Sequence, residues 1–102
     1  MMFGQIEEVY QALHHNGYIE FDWKDSSYMI EAGTDEDEKR YLAIWTADWD
    51  KENYCVYKEE TFLEQLIEEE VVDKVLNAKC FNGKSFLEIA NDLELTSIMG
   101  QD

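Results

Sequence analysis

The chain has 102 residues, and 45% of them are hydrophobic, which is enough for one domain with a real core and argues against global disorder. Its 24 Asp and Glu residues against 8 Lys and Arg give a formal net charge of −16. That charge argues against direct binding to nucleic acid or anionic membranes, and it favours basic protein surfaces or cations. An acidic surface that only keeps the protein in solution is the alternative. We predict a single acidic domain over residues 1–102.

The two cysteines and the lack of a long apolar segment indicate where in the cell the protein is located. Cys55 and Cys80 are too few for a disulfide framework or a zinc knuckle, and free thiols are the default of an intracellular protein. Residues 1–8 lack the basic and apolar regions of a signal peptide, and the longest apolar run, residues 41–45, is too short to span a bilayer. We expect a cytoplasmic protein.

The first element is an amphipathic helix. Apolar residues at i, i+3, i+4 and i+7 form its stripe: Ile6, Val9, Tyr10 and Leu13. Asn16-Gly17 should end it, with Gly17 in the left-handed conformation. His14 and His15 lie in the last turn, where adjacent side chains diverge by about 100°. We therefore expect a structural or solvent role for them and no metal binding.

A hairpin should follow the helix. Tyr18–Lys24 alternates apolar and polar residues, and Ser27–Ala32 follows after Asp25-Ser26. With that dipeptide as the loop, apolar residues face one another in three pairs: Trp23 with Tyr28, Phe21 with Ile30, and Ile19 with Ala32. The same register sets Glu20 opposite Glu31, so this face should meet water or a cation. A longer loop with a shifted register is the alternative.

Two further strands complete a predicted meander. A polar loop, Gly33–Lys39, leads to Arg40–Thr46, and the loop Ala47–Glu52 leads to Asn53–Lys58. If Leu42 and Ile44 point to the core, the opposite sheet face carries several large side chains, namely Met29, Tyr41 and Trp45, with Tyr57 as a further candidate. So much apolar surface requires a covering helix or a partner.

The rest of the chain has helical patterns. The pattern over Glu59–Glu69 predicts a helix whose apolar stripe is Phe62, Leu63, Leu66 and Ile67. A break near Glu69-Glu70 should follow. A second short helix should then carry the apolar residues Val71, Val72, Val75 and Leu76. Asn82-Gly83 should form a turn. Ser85 and Glu88 form a capping box that opens a helix with Phe86, Ile89, Ala90 and Leu93 on its buried side, and residues after Thr96 should fray.

These patterns predict an α+β fold. We expect an N-terminal helix, a four-stranded antiparallel β-meander, and two or three C-terminal helices, with the helices packed mainly on one face of the sheet.

Three chemistries fit the residues poorly. Asp48, Asp50 and Glu52 with Glu59 match part of a calcium-binding EF-hand loop, but the required Gly is Asn53, so a solvated loop is preferred. Asn82–Ser85 lacks the first Gly of a phosphate loop. Two neighbouring histidines offer no nucleophile–base pair, so we predict no catalytic, metal or cofactor residue, although carboxylates that converge in space remain an alternative.

What remains is the acidic surface. Its carboxylates are grouped in the loops, on the polar face of the hairpin and near the helix break: Asp35, Glu36, Asp37, Glu38, Asp48, Asp50, Glu52, Glu20, Glu31, Glu68, Glu69 and Glu70. If the fold brings two such groups together, they imitate a run of nucleic-acid phosphates and compete for the Lys and Arg residues that neutralise phosphates.

The order helix, short antiparallel strands, helices in about a hundred very acidic residues resembles the small phage-borne anti-CRISPR proteins that act as DNA mimics. The stretch from Asn82 to Ile89 is also similar to an ending found in small uncharacterised proteins of Gram-positive bacteria and their phages. The first resemblance implies blocking of the site where a CRISPR nuclease reads duplex DNA.

We therefore expect a non-enzymatic inhibitor, monomeric or homodimeric, that binds a basic nucleic-acid-binding protein or nuclease. The alternatives are an immunity protein that neutralises a cationic toxin and an acidic housekeeping domain that dimerises through Met29, Tyr41, Trp45 and Tyr57.

Overall fold

The computed structural model describes residues 3–46 and 55–99. Its elements in chain order are α1 (Phe3–His14), β1 (Tyr18–Trp23), β2 (Ser26–Thr34), β3 (Arg40–Thr46), β4 (Cys55–Glu60), α2 (Glu69–Asn77), α3 (Phe86–Ile89) and β5 (Glu94–Met99). Within these residues the strands form one five-stranded antiparallel sheet in the order β4-β3-β2-β1-β5. The predicted α+β class with an N-terminal helix is confirmed, whereas the predicted number of strands is one too few.

Helix α1 ends in a Schellman motif. The Gly17 amide donates to the Ala12 carbonyl at 2.7 Å and the Asn16 amide donates to the Leu13 carbonyl at 3.1 Å. Asn16 takes the left-handed conformation, with φ of 64°. The predicted stop is thus correct in place, but Asn16 supplies the positive φ that was assigned to Gly17.

The register of the first hairpin differs from the prediction by two residues. Trp23 pairs with Ser26, so Lys24 and Asp25 form the turn, and Lys24 takes a φ of 54°. The resulting pairs are Ile19 with Ile30 and Phe21 with Tyr28. Two side-chain contacts favour this register: Ser27 donates to Asp22 at 2.6 Å, and the Phe21 and Tyr28 rings stack at 5.4 Å. Because the shift is even, the apolar residues keep the predicted face.

The predicted helix over Glu59–Glu69 is wrong. Strand β4 continues to Glu60, and the Thr61 amide donates to the Arg40 carbonyl at 3.0 Å, which extends the pairing with β3. Residues 61–68 form an irregular loop, and α2 begins at Glu69, where the break was expected. Of the predicted stripe only Ile67 is buried completely, and Phe62 and Leu63 are exposed.

Helix α2 buries the residues that its pattern predicted, whereas α3 carries only Phe86 and Ile89 of its predicted buried side, because it ends at Ile89 and the buried Ala90 and Leu93 lie beyond it. Val71, Val72, Val75 and Leu76 are the buried face of α2. The capping box of α3 is confirmed, since Ser85 Oγ accepts from the Glu88 amide and Glu88 accepts from the Ser85 amide, both at 3.1 Å. Asn82 and Gly83 have φ of 54° and 81° and close a two-residue turn between Phe81 and Lys84, which leads into α3.

The last strand was not predicted. Helix α3 ends at Ile89, and Glu94–Met99 pairs antiparallel with β1, with Ile98 opposite Ile19 and a bulge at Thr96. The expected fraying after Thr96 is therefore wrong for residues 97–99. Their edge strand places β1 in the interior of the sheet.

One hydrophobic core lies between the helices and one face of the sheet. Its fully buried members come from α1, α2 and α3 and from the core-facing positions of β1, β2 and β3, and include Val9, Leu13, Ile19, Phe21, Ile30, Leu42, Ile44, Val72, Val75, Leu76 and Phe86. Phe81, from the loop before α3, packs edge-on against Phe21, Trp23 and Tyr28. The opposite face of the sheet, which we call the open face, contributes no residue to this core cluster within the described residues.

Candidate interaction surface

The connection between β2 and β3 carries the most compact group of carboxylates. Asp35 Oδ1 accepts from the amides of Asp37 and Lys39 at 2.9 and 3.0 Å, and the Asp35 amide donates to the Lys39 carbonyl at 2.9 Å. The Asp35 carboxylate is thus used to shape the loop. Glu36, Asp37 and Glu38 are exposed on a backbone that these hydrogen bonds hold.

The second predicted acidic group lies at the start of α2. Glu69 and Glu70 are exposed in the first turn, where carboxylates stabilise the positive end of the helix dipole. Glu68 has a different role, because its half-buried carboxylate accepts from the Thr61 hydroxyl at 2.7 Å and from the Phe62 and Leu63 amides at 2.8 and 3.0 Å. Its partial burial opposes ionisation, but these donors outweigh that effect and lower the pKa of Glu68.

Arg40 links the start of β3 to the end of α1 and to the loop before α2. It begins β3 directly after the acidic loop, and its guanidinium donates to the Leu63 carbonyl in the 61–68 loop and to Asn16 Oδ1 at 2.8 Å. These contacts place the β2–β3 loop, the end of α1 and the approach to α2 at one end of the sheet. We call the residues Glu36, Asp37, Glu38, Glu69 and Glu70 there the acidic end. Both acceptors of Arg40 are neutral, so neither hydrogen bond pairs its charge with a carboxylate of the acidic end.

The third predicted group lies outside the described residues. Asp48, Asp50 and Glu52 fall between Thr46 and Cys55, the neighbouring residues that the structure does describe. Thr46 and Cys55 lie at the end of the sheet opposite the acidic end, because β3 runs from Arg40 at that end to Thr46.

The open face carries the remaining predicted pair, but not as facing residues. Glu20 lies opposite Met29, and Glu31 lies opposite Tyr18 and Ala43. The two glutamates are therefore diagonal neighbours, about 7–8 Å apart at the backbone, which relieves the repulsion that a direct pair would create. The predicted Glu20–Glu31 pair is wrong, although both carboxylates do lie on the polar side of the hairpin.

Aromatic side chains accompany these carboxylates on the open face. The Tyr41 and Trp45 rings lie 6.0 Å apart above the fully buried Ala43, and Lys58 Nζ lies 5.0 Å from the centre of the Tyr41 ring. A methyl group at Gly33 would lie 3.0 Å from Tyr41 Oη, so the ring lies across that glycine. The open face is thus a half-buried apolar strip bordered by carboxylates.

Tyr57 was a candidate for this strip but belongs to the other side. It pairs with Ile44 and packs against the core. Its hydroxyl donates to Glu59, and that hydrogen bond, followed by burial, raises the pKa of Tyr57 to about 12.

A cavity of about 220 Å³ lies between α1 and α2. Its lining includes Tyr10, His14, Glu69 and Asp73. The Tyr10 hydroxyl donates to Asp73 at 2.7 Å, and His14 Nδ1 donates to the Ile67 carbonyl at 2.8 Å. The Tyr10 bond therefore joins α1 to α2, and the His14 bond joins α1 to the loop before α2.

Phe62 and Leu63 are the surface residues that the sequence reasoning missed. Their side chains are 77% and 45% exposed, although their spacing with Leu66 and Ile67 predicted burial on a helix. One feature of the sequence argued against a helix here. Thr61 and Glu68 flank the segment, and their side chains can hydrogen-bond to its backbone and so compete with helix formation.

Metal-ligand clusters and membrane-crossing helices are both absent from the described part of the chain. No three His, Cys, Asp or Glu residues at positions 3–46 and 55–99 are arranged to hold a metal ion. No helix within those ranges combines the length and apolarity needed to cross a bilayer.

Comparison with family models, curated proteins and solved structures gave no match to this chain.

Proposed function

We propose that this protein is a non-enzymatic inhibitor that binds a basic nucleic-acid-binding protein in the cytoplasm by imitating nucleic-acid phosphates. The partner that the resemblance to anti-CRISPR proteins implies is a CRISPR nuclease. The observation that carries the proposal is the acidic end, where two groups of exposed carboxylates from different parts of the chain lie at the same end of the sheet, on backbone held by hydrogen bonds.

The electrostatics of this end support binding to cations. The net charge of −16 raises the local concentration of a basic partner and speeds its approach. Arg40 is bonded to the Leu63 carbonyl and to Asn16, so it does not neutralise the exposed carboxylates by direct pairing. Exposed carboxylates on a held backbone compete with a phosphate backbone for the same Lys and Arg side chains.

The test is displacement of DNA from a basic protein. A fluorescent duplex is bound to a guide-loaded Cas9-type nuclease and, in parallel, to a sequence-nonspecific basic nuclease, and the protein is titrated in. We expect displacement that weakens as salt rises from about 0.1 M to about 1 M, because the Debye length falls from about 10 Å to about 3 Å. Duplex that stays bound to both nucleases, or displacement that salt leaves unchanged, overturns the proposal.

A matched pair of variants separates local from total charge. The triple change Glu36→Gln, Asp37→Asn and Glu38→Gln removes three exposed carboxylates from the acidic end and leaves Asp35 to shape the loop. The control is Asp25→Asn, Asp92→Asn and Glu94→Gln, which removes the same charge from exposed positions elsewhere. We expect the first triple to weaken displacement about tenfold more than the control.

A further inference from the structure

The loop between β4 and α2 presents two adjacent apolar side chains to solvent. Phe62 is 77% exposed and Leu63 is 45% exposed. Single exposed apolar residues are common on proteins, so exposure by itself does not identify a contact. The way in which the loop is held, and the charges around it, distinguish this pair.

The backbone of the loop is anchored at both ends. Thr61 is 4% exposed and bonds through its amide to Arg40 and through its hydroxyl to Glu68. Glu68 also accepts from the amides of Phe62 and Leu63 themselves, and the Ile67 amide donates to the His14 carbonyl at 2.9 Å. The exposed pair is thus ordered before any partner arrives, which reduces the entropy lost on binding.

Carboxylates neighbour the pair. Glu64 follows it along the loop, and the acidic end lies beside it through the contacts of Arg40 and Glu68. An exposed aromatic side chain within a charged border matches the arrangement of an interface, in which an apolar centre supplies most of the energy and a polar rim surrounds it.

We infer that Phe62 and Leu63 are the apolar anchor of the docking surface, and that they contact an apolar patch bordered by Lys or Arg on the partner. This inference rests on the proposed function, because it assumes a basic partner. A second copy of this chain is a poor occupant, since two acidic ends would be brought together by chains that each carry −16. The carboxylates would set the association rate, and Phe62 would set the dissociation rate.

Two synthetic peptides that stand in for the basic partner test the inference. The first is a helical peptide with a leucine stripe flanked by lysines, and the second carries the same lysines with glutamine in place of leucine. Charge alone predicts equal affinity for both. The anchor predicts that the leucine peptide binds at least about tenfold more tightly, and that Phe62→Ala with Leu63→Ala removes this difference.

Met29→Ala is the matched control, because it shortens an apolar side chain on the open face, where Glu20 lies opposite it. An unchanged thermal unfolding midpoint shows that each variant is folded. Equal affinity of wild type for the two peptides overturns the anchor and leaves the charge-based proposal standing, whereas no binding of either peptide overturns both. A leucine preference that survives the double change at Phe62 and Leu63, or that Met29→Ala removes instead, also overturns the anchor.

Discussion

Replacing Glu68 should release the loop that presents Phe62 and Leu63. Glu68→Ala removes the carboxylate that accepts from the buried Thr61 hydroxyl and from the Phe62 and Leu63 amides. The two amides are exposed and can hydrogen-bond to water instead. Counting about 1 kcal/mol for the hydroxyl and about 0.5 kcal/mol for each amide, we expect a loss of about 2 kcal/mol of unfolding free energy. For a chain of this size the loss corresponds to a fall in Tm of about 10 °C.

The more conservative Glu68→Gln tests the charge. Its amide oxygen can still accept from Phe62 and Leu63, and its NH₂ group can donate to the Thr61 oxygen, so we expect a loss of about 1 kcal/mol from the missing charge assistance. Because folding lowers the pKa of Glu68, the contribution of the carboxylate is present above the unfolded value and is lost as pH falls through the folded value. Wild type and Glu68→Gln should therefore converge in acid.

The assay is urea denaturation of wild type, both Glu68 variants and Glu69→Gln, at about pH 7 and about pH 3, on either side of the unfolded glutamate pKa of about 4.3. Glu69→Gln is the matched control, because it removes an exposed carboxylate from the next position of the same helix start. If Glu68→Ala costs no more than Glu69→Gln, or if the cost of Glu68→Gln is equal at both pH values, the carboxylate does not order the loop.

Three further changes test the local structure. Ser85→Ala should cost about 1 kcal/mol by urea denaturation, because it removes the cap that accepts from the Glu88 amide, and no loss would contradict the capping box. Lys24→Gly should raise stability by about 0.5–1 kcal/mol, since φ of 54° strains a residue with a Cβ, and a loss would place the turn elsewhere. Burial and then the hydrogen bond to Asp73 raise the pKa of Tyr10 to about 12, so the contribution of Tyr10 to stability is present below about pH 10 and is lost as pH rises to about 12. Tyr10→Phe should reduce that alkaline loss of unfolding free energy in a series of denaturation measurements. An unchanged dependence of stability on pH would contradict the assignment.

Local patterns predicted several elements correctly. Strand β3 was predicted with its observed bounds, Arg40–Thr46. The Ser85–Glu88 capping box was correct because its hydrogen bonds join residues only three apart, and they form whether α3 is short or long. The stripe from Val71 to Leu76 is buried as expected.

The errors arose where distant residues decide the structure. Phe62, Leu63, Leu66 and Ile67 have helical spacing, but the bonds from Arg40 and Glu68 to that backbone stabilise a loop instead. Strand β5 depends on β1, which lies more than seventy positions earlier in the chain. Its bulge at Thr96 also breaks the alternation by which a strand is recognised.

The candidate surface was predictable in composition but not in arrangement. The sequence names the carboxylates of the acidic loop and of the α2 start, but only the folded chain shows that Arg40 bonds to the loop before α2 and that Asp35 and Glu68 accept hydrogen bonds from the loop backbones. The exposure of Phe62 could not be read from the apolar spacing around it, because that spacing is shared with buried helices.

The position of β1 between β2 and β5 has a consequence for how the protein reaches its native state. During synthesis the α1–β1–β2–β3 part of the chain exists before residues 94–99 are made, and in that interval β1 is an unprotected edge. Closing the β1–β5 contact joins segments far apart in sequence, which costs more chain entropy than any hairpin in the sheet. Nascent or truncated chains that lack β5 would therefore be the species most prone to pair with one another through β1, even though the net charge of −16 opposes their association.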